Sequence, residues 1–511
     1  MKTDILIIGG GLTGICAAYE IIKNSDRQVD LLQWGGGASP YIHGFCLPVG
    51  NDDSEELFFE DSMASGYGQC RESLVKRLCR ESVTLPDYFR ELGLDIDKTD
   101  GKPRLIKSLG STAARIAGIS NNTGPAMLTT LRKKLKESGR YTEHNKFRAL
   151  ELIKKDGRVV GVRCYNKDTD TFQTISAGLV ILATGGFGRL FPESTNSVDI
   201  GGDGCAMAYL AGGKMTDLEF IQFEPSAAVW PMELVGKSII TTMFYEGAVL
   251  RGGNGERFMD ECVPKDAQAK AISNQIRQGN ATPHGGVWFD ATKVPMEMWE
   301  GIYKPYRNRY LAYGIDMTKE PVEIAPAAHT TCGGVLIDEN CRTGIPGLLA
   351  CGEVIGGLHG ANRLGGNAGL ETMVFGRIAG QTALTEECCA TQLEENIVSN
   401  RPADVDTAQL RQQLQQILRK DLGVIRTEAE LREGIAQTDE LLRALEEHEN
   451  CYEKHRLYND CVTAKLALIS ALERKASCGC HTREDSRQEQ NPYRIIVQNT
   501  QGGFTLSKES V

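Results

Sequence analysis

Gly9, Gly11 and Gly14 stand in the spacing G-x-G-x-x-G, within Gly9-Gly10-Gly11-Leu12-Thr13-Gly14. Such a turn lets a pyrophosphate approach the backbone and rest on the start of a helix. The flanks give the motif its weight. Asp4 to Ile8 is a short apolar run suited to a buried parallel strand. ICAAYEIIK beyond the turn has a helical pattern with small residues on one side, and Val29 to Leu32 reads as a second strand. Strand, turn, helix and strand make a dinucleotide-binding unit. The residue closing the second strand is commonly an acid that accepts ribose hydroxyls. Here it is Gln33, which has an acceptor but no charge, so a looser hold on the adenosine end, or help from other residues, is expected.

Two later strand patterns also end on glycine. Ala177 to Leu182 runs into Ala183-Thr184-Gly185-Gly186, and Gly347 to Cys351 into Gly352-Glu353. Three such ends could meet one long cofactor across a parallel sheet. Widely separated returns of the chain suit FAD better than a nicotinamide cofactor, whose binding domain is usually contiguous.

The elements that must position these turns fit an ordinary globular chain. Its 511 residues leave room for about three domains. Lys plus Arg is 57 and Asp plus Glu 67, a net charge of −10, with no basic run; nucleic acid is thereby excluded as the main partner. Gly numbers 56, roughly 11% against a usual ~7%, in keeping with many close backbone approaches. The 16 Cys have no repeating spacing, so neither a disulfide framework nor a zinc pattern is read, and a reducing compartment is expected. No apolar stretch approaches the ~18 residues of a membrane span. Met1-Lys2-Thr3-Asp4 leads straight into a strand, so no signal peptide and a cytoplasmic location are expected.

Further blocks follow in order: ATGGFGRLF, TNSVDIGGDGCAMAYLAGG, DLEFIQFEP, GERFMDE, PAAHTTCGG, CGEVIGGLHGANRLGGNAGLETMVFG and CGCHTRED. Together they resemble the flavoprotein of the fumarate reductase, succinate dehydrogenase and L-aspartate oxidase superfamily over nearly the whole chain. The resemblance implies an α/β fold. A Rossmann-like FAD-binding domain (1–224 and 326–385) would carry an inserted α+β capping domain (225–325), then a three-helix domain (386–475) and a C-terminal segment (476–511). Residues 386–475 read as helices, with Leu431, Ile435, Leu442 and Leu445 at helical spacing and Arg401-Pro402 at a turn between helices. Asn491 to Leu506 alternates like a hairpin, with Gly502-Gly503 near its turn.

The resemblance places FAD against Gly9, Gly11, Leu12, Thr13, Gly14, Gln33, Ser39, Ala183, Thr184, Gly185, Asp203, Gly352, Glu353, Asn367 and Ala368. In the dehydrogenase members a His bonds covalently to FAD. Pro40 occupies that position within Gly36-Gly37-Ala38-Ser39-Pro40-Tyr41, so non-covalent FAD is expected.

The family reaction is hydride transfer between flavin N5 and one carbon of a bond activated by a carboxylate, with a proton moved at the neighbouring carbon. His329 and Arg363 are retained in H-x-x-x-G-G and H-G-A-N-R, and Arg offers carboxylate a planar fork. His359 is read either as a ligand contact or as a supporting residue. The rest of the clamp is changed. Gln222-Phe223-Glu224-Pro225 puts Glu224 where the family has a substrate-binding His. TTMFYEG puts Phe244 at the place of a carboxylate-binding Arg and Thr241 at that of an acid, while Glu246 keeps a structural role. Arg257-Phe258-Met259-Asp260-Glu261 leads to Pro264-Lys265-Asp266, which makes Lys265 the counterpart of the proton-shuttle Arg.

Lys265, His329 and Arg363 are thus the candidate catalytic residues, and Glu224, Thr241, Phe244 and His359 the candidate substrate contacts. The bland alternatives are a surface Lys265 beside Asp266, a loop His329 and an Arg363 in a structural ion pair. With one cation lost and one anion gained, a C4 dicarboxylate in the family pose is disfavoured. A monocarboxylate with an apolar or aromatic tail near Phe244, or a substrate with a cation near Glu224, is expected instead.

Cys478-Gly479-Cys480-His481 could be a metal or redox site, but small residues in a packed turn are the simpler reading; no metal is assigned. Cys388-Cys389 on a helix diverge, and Cys332 reads as packing around the flavin. No ferredoxin-type Cys run exists, so an iron-sulfur or flavin electron-transfer partner would be a separate protein. The reading is an FAD-dependent oxidoreductase acting on a C–C bond next to a carboxylate. Its alternatives are an amino-acid oxidase or dehydrogenase of the L-aspartate oxidase type and a non-catalytic flavoprotein electron-transfer subunit.

Overall fold

The computed structural model describes residues 1–388, 391–394, 396–487, 491–500 and 503–511. Lys2–Ile8 forms a strand paired in parallel with Val29–Gln33 on one side and Thr171–Leu182 on the other. Tyr141–Asn145 extends the sheet beyond Val29–Gln33, and Leu348–Ala350 pairs in parallel with Thr171–Leu182. Ile5, Leu6 and Ile7 are fully buried. A strand covered on both faces needs such a continuous apolar run. Helices Leu12–Asn24 and Asn367–Thr385 pack together closely: a Cβ on Gly376 or Gly380 would press on the Thr13 or Ala17 carbonyl at 2.7 Å.

The registers match Ile8 with Leu182 and Leu182 with Ala350. The three glycine-closed strand ends therefore lie abreast at one edge of the sheet, as their sequences suggested.

A second core gathers Phe244, Phe289, Trp299, Tyr303, Tyr310 and Ile324. Its sheet is antiparallel, in the order Ile221–Ala228, Val322–Thr331, Val287–Asp290, Val249–Arg251. Helices Lys265–Arg277 and Lys304–Leu311 accompany it. A mixed α/β fold with an α+β insertion is what the blocks implied.

Helices Thr407–Asp421, Glu428–Ala444 and Tyr452–Glu473 follow. Thr427 and Glu430 close a capping box at the second of these, and Leu431 and Leu445 are fully buried. The expectation of helix from 386 onward is corrected. The preceding helix ends at Thr385, the described residues of 386–406 contain only the short strand Val398–Ser399, and Asp406 caps the next helix through the Gln409 N–H at 3.0 Å. Pro402 and the Asp-rich stretch after it favour turns and caps over a helix interior. Strands Tyr493–Thr500 and Gly503–Ser510 form the terminal hairpin; Gly502 lies outside the described residues. No helix among the described residues is long and apolar enough to cross a membrane.

Candidate active site

At the aligned strand ends, Gly9 has φ +119° and a Cβ there would collide with the Ala183 carbonyl; one on Gly14 would collide with the Gly9 carbonyl. A Cβ on Gly11 would meet only Ser39 Oγ, at 3.0 Å. Two glycines are thus required by packing, and Gly11 leaves the backbone open to a ligand. The Leu12 N–H donates to Ser39 Oγ at 2.8 Å.

Nearby buried acceptors lack protein partners: Thr184 Oγ1, Asp203 Oδ1 and Asn367 Oδ1. The rest of Asp203 and Asn367 is held, by Arg148 Nε at 2.9 Å and by donation to Ser62 Oγ at 3.2 Å. Buried orphans of this kind are costly unless a bound group supplies partners. A hydroxyl-rich dinucleotide such as FAD does so, and these residues fit it. Glu353 accepts the Thr331 N–H at 3.1 Å, and burial pushes its carboxyl up to about 7. Gly185 and Gly352 take positive φ, and Ala368 lies in the first turn of Asn367–Thr385. Gln33 is at the strand end, but its Oε1 already accepts from Arg132 Nη2 at 2.6 Å, and its Nε2 donates to Asn145 at 3.2 Å. A Gln33–Arg132 pair therefore closes this strand end. Arg132 carries no motif signal and escaped the sequence reading.

The candidate catalytic residues and Glu224 come from four places. Glu224 lies on Ile221–Ala228 and His329 on the adjacent strand, where Glu224 pairs with Ala327. Lys265 opens helix Lys265–Arg277, and Arg363 lies in the loop before Asn367. Lys265 Nζ forms an ion pair with Glu224 Oε2, and His329 Nε2 is 3.9 Å from the same oxygen. Ser226 Oγ donates to Glu224 Oε1 at 3.0 Å. Burial alone would raise the Glu224 carboxyl, but the Lys265 cation, with hydrogen bonds from Lys265 and Ser226, outweighs it and holds the group below the usual range. His329 Nδ1 is 2.7 Å from Thr195 Oγ1. Loss of hydration, then the Lys265 cation, push His329 down to about 3, so the imidazole is neutral at ordinary pH.

Arg363 is 7% exposed. Its Nη2 donates to Gln222 Oε1 at 2.8 Å and its Nη1 to the Leu364 carbonyl at 3.2 Å, while Nε has no partner. Gln222 is itself oriented by donating to Asn362 Oδ1 at 2.7 Å. Gln222 and Thr195 sit inside blocks already picked out, so their polar side chains were the available signal.

The other expectations fare differently. Lys265 does not pair with Asp266, which instead accepts the Tyr67 hydroxyl at 2.6 Å. His359 is buried against Glu371 at 2.9 Å, which fits the supporting reading. Phe244 is corrected as a wall of the site: it is 6% exposed and its ring packs 5.3 Å from Phe289 in the second core. Thr241 is buried on the same short helix, Thr241–Glu246, with no hydrogen bond to the cluster among the described residues. The repulsion expected from Glu224 is also corrected, since Lys265 balances its charge. Cys332 packs with Phe220, Ala361 and Cys478. The Cys480 N–H donates to the Ala361 carbonyl at 2.8 Å, which makes Cys478–His481 a packed turn behind Arg363. No metal-holding cluster occurs among the described residues, and Cys389 lies outside them.

Residues 4–368 match the FAD binding domain family and residues 411–508 the fumarate reductase flavoprotein C-terminal family. The chain is 32% identical to a polypeptide of the fumarate reductase (CoM/CoB) of Methanothermobacter marburgensis, over 95% of this chain and 94% of that protein. It is 30% identical to an L-aspartate oxidase of Vibrio cholerae, over 94% and 95%. A structure of E. coli quinol fumarate reductase superposes with a TM-score of 0.90 at 26% identity, covering all of this chain and 97% of the other.

Proposed function

The chain belongs to the FAD-dependent oxidoreductase family of fumarate reductases and L-aspartate oxidases, and from that premise we propose that it moves a hydride and a proton across a C–C bond beside a carboxylate. The observation that carries the reading is the Lys265–Glu224 pair beside His329, whose imidazole also feels the Arg363 charge. Bound FAD supplies the two-electron hydride chemistry. Arg363 anchors the substrate carboxylate: Gln222 and the Leu364 carbonyl orient it, and Nε stays free for the ligand. Lys265 gives or takes the proton at the neighbouring carbon, and Glu224 holds its ammonium in place. Neutral His329, oriented by Thr195, contributes hydrogen bonds rather than charge.

A standard C4 dicarboxylate is not the substrate in this reading, because the cluster offers a carboxylate one guanidinium, Arg363, while Lys265 is held by Glu224. Pro40 has no nucleophile, so FAD is held without a covalent link. The amino-acid oxidase reading would use Glu224 against a substrate ammonium, but Lys265 already occupies that carboxylate. A non-catalytic role leaves the ordered cluster without a purpose. Electrons come from a partner protein with iron-sulfur or flavin centres, and cysteines scattered without a framework suit the cytoplasm.

The test is anaerobic reoxidation of the reduced holoenzyme by fumarate and by crotonate- and cinnamate-like acids, alongside oxygen uptake with amino acids. Faster reoxidation by the monocarboxylic enoates is expected. Fumarate turnover at ordinary reductase efficiency overturns the substrate assignment. Amino-acid-driven oxygen uptake favours the oxidase, and a flavin spectrum that no carboxylate perturbs favours the electron carrier.

A further inference from the structure

We propose that Arg309, assisted by Tyr306, recognises a second anionic group at the end of the substrate remote from Arg363. The proposal rests on the carboxylate-site reading and extends it to specificity. Tyr303 precedes helix Lys304–Leu311, and Tyr306 and Arg309 follow it at three-residue spacing, so Tyr306 is the surface neighbour of both. The start of this helix meets the segment where the resemblance expects a cation: the Tyr303 hydroxyl is 3.4 Å from Thr242 Oγ1, on the short helix that carries Thr241 and Phe244.

Arg309 Nη1 donates to the Ser238 carbonyl at 2.9 Å. Ser238 bridges to Ala227, and the next carbonyl, Ile239, lies 2.7 Å from Ser226 Oγ and shares its one proton with Glu224. The guanidinium is thereby fastened to backbone one step from the catalytic cluster. It also lies over the Tyr306 ring, 5.3 Å from its centroid.

No carboxylate pairs with Arg309 among the described residues, whereas its neighbour Arg307 is held by Asp316 at 3.2 Å. One of its five N–H donors has a protein acceptor there. A stacked, half-buried guanidinium without a counter-ion is arranged for an anion from outside the chain. Glu224 does not serve as that anion, because Lys265 holds it. Burial keeps the Tyr306 hydroxyl protonated, and the Glu224 charge adds to burial while Arg309 opposes it. Tyr306 is therefore a donor toward an anion. Arg363 belongs to a loop of the first core and Arg309 to a helix of the second, and the Glu224 charge felt at Tyr306 ties that helix to the cluster, so the proposal gives the ligand one cation from each core. The cation absent at Phe244 is supplied from a different element, without the C4 spacing of the family clamp.

The experiment titrates the flavin absorbance of the oxidised holoenzyme with saturated straight-chain dicarboxylates of five to seven carbons and with monocarboxylates of equal length. Wild type is expected to bind at least one diacid tenfold or more tightly than its matched monoacid. Arg309→Ala should abolish that preference while leaving monoacid binding within about twofold. Arg309→Gln, which keeps a donor for Ser238 without charge, should do the same if the Ala variant is unstable. A wild type with no preference, or a preference that survives both variants, overturns the proposal. A preference lost with Arg309 in an enzyme that no enoate reoxidises would refute the reaction assigned above and leave this site standing.

Discussion

Removing Lys265 should affect stability and turnover in ways that a second substitution can separate. The Glu224 side chain is 5% exposed and that of Lys265 22%. Deleting one partner of a buried ion pair costs ~3–5 kcal/mol. The ceiling is set by an alternative, protonation of Glu224, which at pH 7 costs about 4 kcal/mol for an ordinary carboxyl. Because Lys265 is partly exposed and Ser226 still donates to Glu224, Lys265→Ala should destabilise the protein by about 3 kcal/mol. Glu224→Gln added to it removes the stranded charge and should restore most of that loss, a coupling readable in a double-mutant cycle.

Turnover should not return. Loss of a proton-transfer group costs ~10²–10⁴-fold, and neither replacement side chain supplies the missing ammonium. The assay pairs urea unfolding with single-turnover reoxidation of the reduced holoenzyme by its best enoate, at matched FAD content. His329 provides an internal check. Its folded pKa, about 3, lies below the ordinary 6.5, so its contribution to stability is lost as pH falls through that window. In Lys265→Ala the depressing cation is gone and Glu224 remains, so the imidazole should titrate at higher pH. Turnover within tenfold of wild type in Lys265→Ala, or recovery of turnover in the double variant, would refute the assignment of the proton to Lys265.

Acid precipitation should release all the yellow colour, because Pro40 offers FAD no attachment; colour retained by the denatured chain would show a covalent link. His359→Ala strands Glu371, which is 1% exposed, and should lower stability in urea by about 2 kcal/mol or more while leaving substrate KM unchanged. In the apoprotein, Glu353 has a folded pKa of about 7 against 4.5. Its contribution to stability is full below the lower value and lost as pH rises through the higher, by at most about 2 kcal/mol for a partly accessible carboxyl. Glu353→Gln should flatten that part of the pH profile of urea unfolding, and an unchanged profile would place the titration elsewhere. Phe244→Arg should destabilise the second core by about 3 kcal/mol or more, since it removes a buried ring and inserts a charge, and should not create a dicarboxylate site. Thermal unfolding together with fumarate kinetics checks both parts.

What the sequence determined by itself was local or carried by short blocks. Gly9, Gly11 and Gly14 between apolar strand and helix patterns are enough for the cofactor turn, because packing and φ are decided within a few residues. The alignment of Ile8, Leu182 and Ala350 was foreseeable from three similar strand ends. The blocks also located Lys265, Glu224, His329 and Arg363. Which atoms those residues touch was left to the tertiary structure. Glu224 and Lys265 are 41 positions apart, and Gln33 and Arg132 are 99. Such pairs depend on how sheets and helices stack, and sequence spacing carries no record of it. Phe244 shows the same limit: its position in the block suggested a wall, but its ring packs beside Phe289 in the second core. Burial of an aromatic ring is worth a few kcal/mol wherever a pocket exists, and only the packed second core shows where that pocket lies.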